Sequence, residues 1–449
     1  MAAVSLALFC VQIDYFAVNL ALPRMAIEFD STATELQWIV SIYLVTLGAF
    51  MVPAGRLADI FGRKRALLAG LALFGLTSAL CAVASSVTAV VVFRALQGVG
   101  AALIFPASVS VITNAFAPPQ AGRMIGLAYG VAGLGNAAGP LIGGLLTQTA
   151  GWRWIFSLNI PLTAICAFIG MFAITESRDT RAPRRVDIAG LALLTSGIGV
   201  LTLAVDQAPE WGWASAATVA GIIAALALLG LFGIVERRVR WPLVDLSLVR
   251  NLRFTVLAAA GTIANIAYGV TIFLSTVYLQ VGRGLDPLTA GLVFLGPSAG
   301  AAAGGVISGR LAGRHPMLVM GFTMLVAAVS LALLAASGGW ALYLPALTAC
   351  GFALGLVYAF TTVATQAVVG PQRAGEAAGV VLTSMIVMGG VGVAVASAVL
   401  ESLRGGGLST AAGIEVILGC LAAALVPAGL LLLALGARSR RPGSRTALS

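Results

Sequence analysis

The sequence predicts an all-α integral membrane protein of fourteen transmembrane helices, and three observations carry that prediction. The 449-residue chain is 60% hydrophobic and only 9% charged, with a mean hydropathy of +1.03, too much apolar surface for a water-soluble fold. Its apolar runs continue for about twenty residues, the length a helix needs to cross a bilayer, whereas barrel strands would alternate in polarity over about ten. Its basic residues fall on alternate loops, as in a chain threaded repeatedly through one membrane.

The apolar stretches fall at 3–23, 36–55, 66–86, 88–112, 122–148, 153–174, 186–205, 214–235, 254–279, 287–310, 317–337, 341–369, 376–400 and 413–436. With a cytoplasmic N-terminus, the inner loops and tail carry Arg63, Lys64, Arg65, Arg123, Arg178, Arg181, Arg184, Arg185, Arg237, Arg238, Arg240, Arg250, Arg253, Arg310, Arg314, Arg373, Arg438, Arg440, Arg441 and Arg445. The outer loops carry only Arg24, Arg153, Arg283 and Arg404, so both termini are expected in the cytoplasm. The net charge of +10 is thus a topology signal and no sign of a nucleic-acid partner. Trp38, Trp152, Trp154, Trp211, Trp213 and Trp340 fall at the expected outer helix ends, where amphipathic rings favour the headgroup region, and Trp241 marks the inner side. The first span begins almost at Met1 without a basic leader, so no cleaved signal peptide is expected.

Two longer basic inner loops, SRDTRAPRRVD at 177–187 and ERRVRWPLVDLSLVRNLRF at 236–254, bracket the seventh and eighth spans. They divide the chain into an N-terminal six-helix bundle (1–176), basic linkers with two inserted helices (177–253), and a C-terminal six-helix bundle with a basic tail (254–449). The linkers are expected along the anionic inner leaflet. The cysteines Cys10, Cys81, Cys166, Cys350 and Cys420 each stand alone in an apolar run and read as small core residues. His315, the single histidine, reads as a solvated loop residue, and no metal site or cofactor is expected.

Three motifs stand out. GRLADIFGRKR, Gly55 to Arg65, joins the second and third spans: Gly55 lets helices approach, Asp59 can accept from a helix N-terminus or pair with an arginine, and Gly62 permits a tight reversal before Arg63 and Arg65. RALQGVGAA, Arg94 to Ala102, sets an arginine and Gln97 one turn apart inside an apolar helix. An intramembrane arginine costs at least about 2.5 kcal/mol, so it should face a partner or a wet cavity. The fifth span carries Gly126, Gly135, Gly139, Pro140, Gly143 and Gly144, a small-residue face for close packing with a proline bend.

These motifs, in this order and on these spans, resemble the signatures of the major facilitator superfamily, and the fifth-span pattern resembles its antiporter motif. IDYFAVNLALP (Ile13 to Pro23), GWRWIFSLNIP (Gly151 to Pro161) and PLVDLSLVRNLRF (Pro242 to Phe254) are similar to segments of its fourteen-spanner drug:proton antiporter branch (multidrug efflux transporters). Phe16 stands where that branch usually has threonine. GRLAGR at 309–314 looks like a degenerate second copy of the loop motif, with Gly313 at the acidic position. The resemblance implies a proton-coupled antiporter, antibiotic resistance, a bacterial inner-membrane location and a monomer. It also implies that Gly135, Gly139, Pro140 and Gly143 form the bundle interface, while Asp59 and Arg63 latch the cytoplasmic side.

Asp14 is the one carboxylate well inside an early span, about 14 Å of rise below its outer end, and Arg94 lies about 9 Å below the outer end of the fourth, so the two can share a depth. Protonation of Asp14 is expected to compete with its interaction with Arg94 or with a cationic substrate, coupling inward proton flow to outward substrate movement. A static ion pair that fixes packing is the alternative. Asn19, Tyr43, Asn136, Asn265, Tyr268 and Gln366 are candidate substrate-pocket groups, although each is more readily a local helix–helix hydrogen bonder than a ligand. Few acids stand in the later spans, which argues against a preference for multivalent cations. A dedicated exporter of one metabolite or antibiotic is an open alternative, and uptake by proton symport is disfavoured by the fifth-span pattern. An enzyme is not expected: there is no zincin-type histidine pair and no Gly-rich loop followed by Lys-Ser/Thr, so the drive must be an ion gradient.

Overall fold

Every one of the fourteen apolar runs folds as a helix in the computed structural model, which describes residues 1–180, 187–240, 242–245 and 247–438. The helices are α1 (Ala2–Phe29), α2 (Ala33–Phe61), α3 (Arg63–Ala82), α4 (Val87–Ala115), α5 (Pro118–Thr149), α6 (Arg153–Ala173), α7 (Ile188–Asp206), α8 (Ala216–Glu236), α9 (Leu252–Val277), α10 (Leu295–Arg310), α11 (Pro316–Ala335), α12 (Trp340–Val369), α13 (Ala374–Gly405) and α14 (Thr410–Arg438). A π-helical turn, Tyr278–Gly282, extends α9, and a short helix, Pro287–Val293, precedes α10. Among the described residues, fourteen helices are long and apolar enough to cross a membrane, the arrangement that satisfies every backbone polar group within its own segment. Trp241 and the basic positions Arg181, Arg184, Arg185, Arg440, Arg441 and Arg445 lie outside the described residues.

Local chemistry sets the helix ends. The Glu35 amide donates to Thr32 Oγ1 at 3.3 Å and the Thr32 amide to Glu35 Oε2 at 3.0 Å, a reciprocal cap on α2. Ser86 and Ser215 accept from Ala89 and Thr218 at the starts of α4 and α8, and Asn251 accepts from Arg253 and Phe254 at the start of α9. Gly62 alone separates α2 from α3, with φ +124°, a conformation that side chains beyond glycine rarely adopt. Within the helices, hydroxyls such as those of Thr77 and Thr365 turn back onto the preceding turn, to Leu73 O and Thr361 O, and so are paired inside the apolar interior.

The chain divides into two compact units. The first contains residues 1–117, 134–246 and 369–383. There α2 and α3 pack on α4, α6 on α3 and α1, and α7 on α2, while α8 packs on α7. A core of Ile13, Ala17, Val18, Met25, Leu36, Ile39, Cys81, Val90, Trp152, Ile155 and Phe156 fills one end of this unit. The second unit contains residues 118–133, 247–368 and 384–449, with α14 packed closely on α11. Cys10, Cys81, Cys166 and Cys350 are buried free thiols, in line with small core residues. Cys420 departs from that reading: it is exposed on α14, a helix with an extensive apolar surface at Val426, Leu430 and Leu431, because one face of a membrane helix needs no protein cover.

Candidate functional site: a buried acid and a clasp at the α2–α3 turn

Asp14 on α1 has no solvent exposure, and neither has Arg94 on α4. Arg94 Nη1 donates to Asp14 Oδ2 at 2.5 Å, so two charges that neither helix could bury alone are buried together. The other carboxylate oxygen, Oδ1, accepts from Asn159 Nδ2 on α6 at 2.7 Å and from Gln97 Nε2 on α4 at 3.2 Å. Gln97 Oε1 accepts from Arg94 Nη1 at 2.7 Å. Gln97 Nε2 also donates to Ser78 Oγ on α3 at 2.7 Å, and Asn159 Nδ2 to the same oxygen at 3.3 Å. Arg94 Nε donates to Ile39 O on α2 at 3.1 Å, and the guanidinium lies 4.1 Å from the centre of the Tyr43 ring, a cation–π contact strengthened by the burial of Arg94. The acid of α1 is thus bonded directly from α4 and α6, and its partners tie it in turn to Ile39 O on α2 and Ser78 on α3.

Asn159 and Ser78 complete this network without standing out in the sequence as single residues. Asn159 sits inside the GWRWIFSLNIP segment, but an amide in an apolar run gives no sign of which neighbour it faces. Tyr43 belongs to the same site through Arg94, and its ring stacks on Tyr15 at 6.3 Å. The remaining pocket candidates are dispersed. Asn19 is exposed and bonds Tyr15 O one turn back. Asn136 accepts from Gln12 at 2.6 Å. In the second unit, Asn265 bonds Met385 O at 2.7 Å, and Tyr268 and the buried Gln366 lie on α9 and α12.

The small-residue face of α5 serves two packings. Within the first unit it lies on α1: a Cβ at Gly143 would stand 2.7 Å from Ala17 Cα, one at Gly139 2.6 Å from Phe16 Cβ, and one at Gly135 2.8 Å from Phe9 O. Within the second unit Gly126 lies on α10, where a Cβ would stand 2.6 Å from Gly309 Cα. Pro140 is inside α5 and Gly144 is half-buried. Phe16 is therefore part of the α1 surface that meets α5.

A second polar cluster gathers where α2 turns into α3. Asp59 and Arg63 are buried and paired at 2.8 Å. Asp59 Oδ2 accepts from the Glu376 amide in the first turn of α13 at 2.9 Å, and Oδ1 from Ser110 at 3.2 Å. A carboxylate at a helix N-terminus meets unpaired amides and the positive end of the helix dipole. Arg63 Nη2 donates to the carbonyls of Pro371 at 3.0 Å and Gln372 at 2.7 Å, and Asn114 Nδ2 donates to Pro371 O at 2.9 Å. Gly55 lies directly on the Gly375 backbone, where a Cβ would stand 2.8 Å from its carbonyl carbon. Arg65 stays outside this clasp, largely exposed, 3.7 Å from Glu176. The Glu176 carboxylate accepts from the Lys64 and Arg65 amides and so caps α3.

The segment after α8 joins the same clasp. Glu376 Oε1 accepts from the Asp245 amide at 2.7 Å, Arg373 lies 3.1 Å from Asp245 and 3.2 Å from Glu376, and Arg56 lies 3.6 Å from Glu376. Glu236, the last residue of α8, accepts from the Val244 amide at 2.5 Å and holds the turn that presents Asp245. These acids lie at the borders of spans, where sequence alone cannot tell a clasp from a solvated loop. The burial difference sets an expected ranking. Asp59→Asn leaves Arg63 buried without its counter-charge and should cost about 3–5 kcal/mol, whereas Asp245→Asn weakens a partly exposed bridge and should cost less than about 1 kcal/mol. Thermal unfolding of the detergent-solubilised variants checks the order; equal losses would overturn it.

The sequence matches the profile of the Major Facilitator Superfamily across residues 4–393. It is 34% identical over 408 residues to the multidrug resistance protein Stp of Mycobacterium tuberculosis, an alignment covering 89% of this chain and 75% of that protein. It is 32% identical over 414 residues to the tetracenomycin C resistance and export protein of Streptomyces glaucescens, covering 90% and 76%. The methylenomycin A resistance protein of Streptomyces coelicolor is 30% identical over 423 residues, covering 92% and 88%. Among solved structures, the human organic anion transporter MFSD10 (TETRAN) superposes with a TM-score of 0.65 over 96% of this chain and 98% of its own, at 15% identity, a likeness of fold alone. A family profile spanning most of the chain, relatives matched over most of their lengths and fourteen apolar helices agree: the chain is a multi-pass membrane transporter of the Major Facilitator Superfamily.

Proposed function

We propose that this transporter is a proton-coupled antiporter that exports small amphipathic or lipophilic compounds, drugs or antibiotics among them, from the bacterial cytoplasm by alternating access. The names of its relatives support the cargo class, since they confer resistance to multiple drugs or to single antibiotics. The buried Asp14–Arg94 pair supports the coupling and is the observation on which the reading rests. An ionisable carboxylate inside a membrane-spanning helix is a functional group by default. Binding a proton cancels its attraction to Arg94 and loosens a junction of five helices, which gives the proton a direct way to bias the conformation.

In this reading six helices, an inserted pair and six more make up the chain, both termini lie in the cytoplasm, and one copy suffices. The clasp of Asp59 and Arg63 on residues 371–376 then closes the cytoplasmic side, and its release accompanies inward opening. Asn19, Tyr43, Asn136, Asn265, Tyr268 and Gln366 are the polar groups available to a cargo. A narrower reading, a dedicated exporter of one antibiotic, draws on the relatives whose printed names each specify one compound.

The test is purified protein in liposomes with an imposed pH gradient and a panel of lipophilic cations, neutral antibiotics and acidic polyketides. Addition of a cargo is expected to dissipate the gradient, and a protonophore, with sodium held constant, to abolish cargo accumulation. A gradient untouched by every cargo would defeat the proposal, and a response to one class alone would select the narrower reading.

A further inference from the structure

All three partners of the Asp14 carboxylate are donors: Arg94 Nη1, Gln97 Nε2 and Asn159 Nδ2. That set suits the ionised acid and leaves a protonated one with nothing to accept its own O–H. A buried hydroxyl without an acceptor is a strongly disfavoured state. If Asp14 takes up protons, one of its neighbours must turn from donor to acceptor, and the hydrogen-bond senses around it decide which.

Arg94 has no acceptor to offer. The Gln97 amide is locked in its present sense, because Oε1 receives Arg94 Nη1 at 2.7 Å and reversal would set NH₂ against guanidinium. The Asn159 amide carries no such lock. Its Oδ1 receives only the Cys10 thiol, at 3.6 Å, and a thiol is a weak donor. Its Nδ2 shares Ser78 Oγ with Gln97, so Ser78 keeps an amide donor, and its own donation to Phe74 O at 2.7 Å, when Asn159 leaves.

We infer that Asn159 is the positioning residue that makes protonation of Asp14 possible: when Asp14 Oδ1 takes a proton, the Asn159 amide rotates half a turn, Oδ1 of Asn159 accepts the new O–H, and its NH₂ turns to the Cys10 sulfur. The proton settles on Oδ1 because Oδ2 faces the Arg94 charge. No covalent bond changes except the O–H that forms. In the ionised state Cys10 donates to Asn159; in the neutral state that bond is gone. The titratable groups around Asp14 are Arg94 on α4, Tyr43 on α2, Cys81 on α3, and Tyr15 and Cys10 on its own helix, with Cys166 on α6 beside Cys10. Cys10 is the one among them bonded to Asn159, so its S–H reports the rotation.

This inference rests on Asp14 being the proton site, and one infrared titration separates the two. In the full-length protein in lipid, a protonated-carboxyl band should appear as pH falls and be lost in Asp14→Asn. Over the same pH range the S–H stretching band assigned to Cys10 by Cys10→Ala should shift to higher frequency, as its hydrogen bond is lost. That shift should vanish in Asp14→Asn and in Asn159→Leu. A carboxyl band that responds to Asp14→Asn while the Cys10 band stays fixed overturns the amide switch and leaves the proton site standing. A carboxyl titration indifferent to Asp14→Asn overturns both. Should those variants not fold, the wild-type protein and Cys10→Ala still test the amide switch: a Cys10 S–H band that stays fixed over the pH range in which a protonated-carboxyl band appears overturns it.

Discussion

Asp14→Asn protein is expected to reach the membrane and to lose proton-driven export to the level of protein-free vesicles. Asparagine matches the shape of aspartate and keeps an acceptor for Arg94, which donates to Asp14 at 2.5 Å in the wild type, so the fold is disturbed far less than the coupling. What it removes is the site proposed to change charge. The reverse change is structurally harsher. Arg94→Leu leaves a carboxylate with no exposure and no counter-ion, a loss of about 3–5 kcal/mol if the acid stays charged. Combining Arg94→Leu with Asp14→Asn should recover most of that stability and none of the transport, because the double variant has no charge left to bury and none to move. Thermal unfolding in detergent and cargo flux in the same vesicles measure the two quantities. Native export by Asp14→Asn under a pH gradient would make the pair a static brace between helices.

The second large effect is expected at the α1–α5 contact. Gly143→Leu should abolish transport, since even a Cβ there stands 2.7 Å from Ala17 Cα and 2.8 Å from Ala17 O, and backbone cannot step aside as a flexible side chain can. Gly139→Leu meets Phe16 Cβ at 2.6 Å and Ile13 O at 3.2 Å, with the same expectation. Overpacking typically costs about 1–3 kcal/mol, and here it also wedges α1 away from the helices that cradle Asp14. Gly230 on α8 is the control: no atom lies within 4 Å of a Cβ built there, so Gly230→Leu should change stability by less than about 0.5 kcal/mol and leave flux intact. Membrane-fraction yield, unfolding midpoint and flux of the three variants check this. Full transport by Gly143→Leu would show that α1 and α5 tolerate separation and remove the small-residue face from the mechanism.

Much of the architecture was legible in the residues because the membrane imposes a one-dimensional rule. Backbone polar groups must be satisfied inside each segment, so a long apolar run is a helix wherever it later packs. The fourteen runs and the helices α1 to α14 agree closely; the differences are a break at Phe294 within the tenth run, 287–310, and shifts at helix ends. One is the end of α1, which runs on past Arg24 and Glu28 to Phe29, because polar residues can continue a helix beyond its apolar core. Asp14 and Arg94, each well inside its apolar run, are also conspicuous in one dimension, because each is costly alone.

Composition and spacing determined the class of protein, its helix count and the two charges most in need of partners. Only the tertiary structure decided that Asn159 and Ser78 complete the Asp14 cradle, that Gly126 packs on α10 while Gly135, Gly139 and Gly143 pack on α1, and that Glu376, Asp245 and Glu236 join the clasp around Asp59 and Arg63. The reason is physical: hydrophobicity and charge are properties of a residue and its near neighbours, whereas a hydrogen bond between residues 145 positions apart depends on how helices rotate about their own axes, which packing settles after the helices exist.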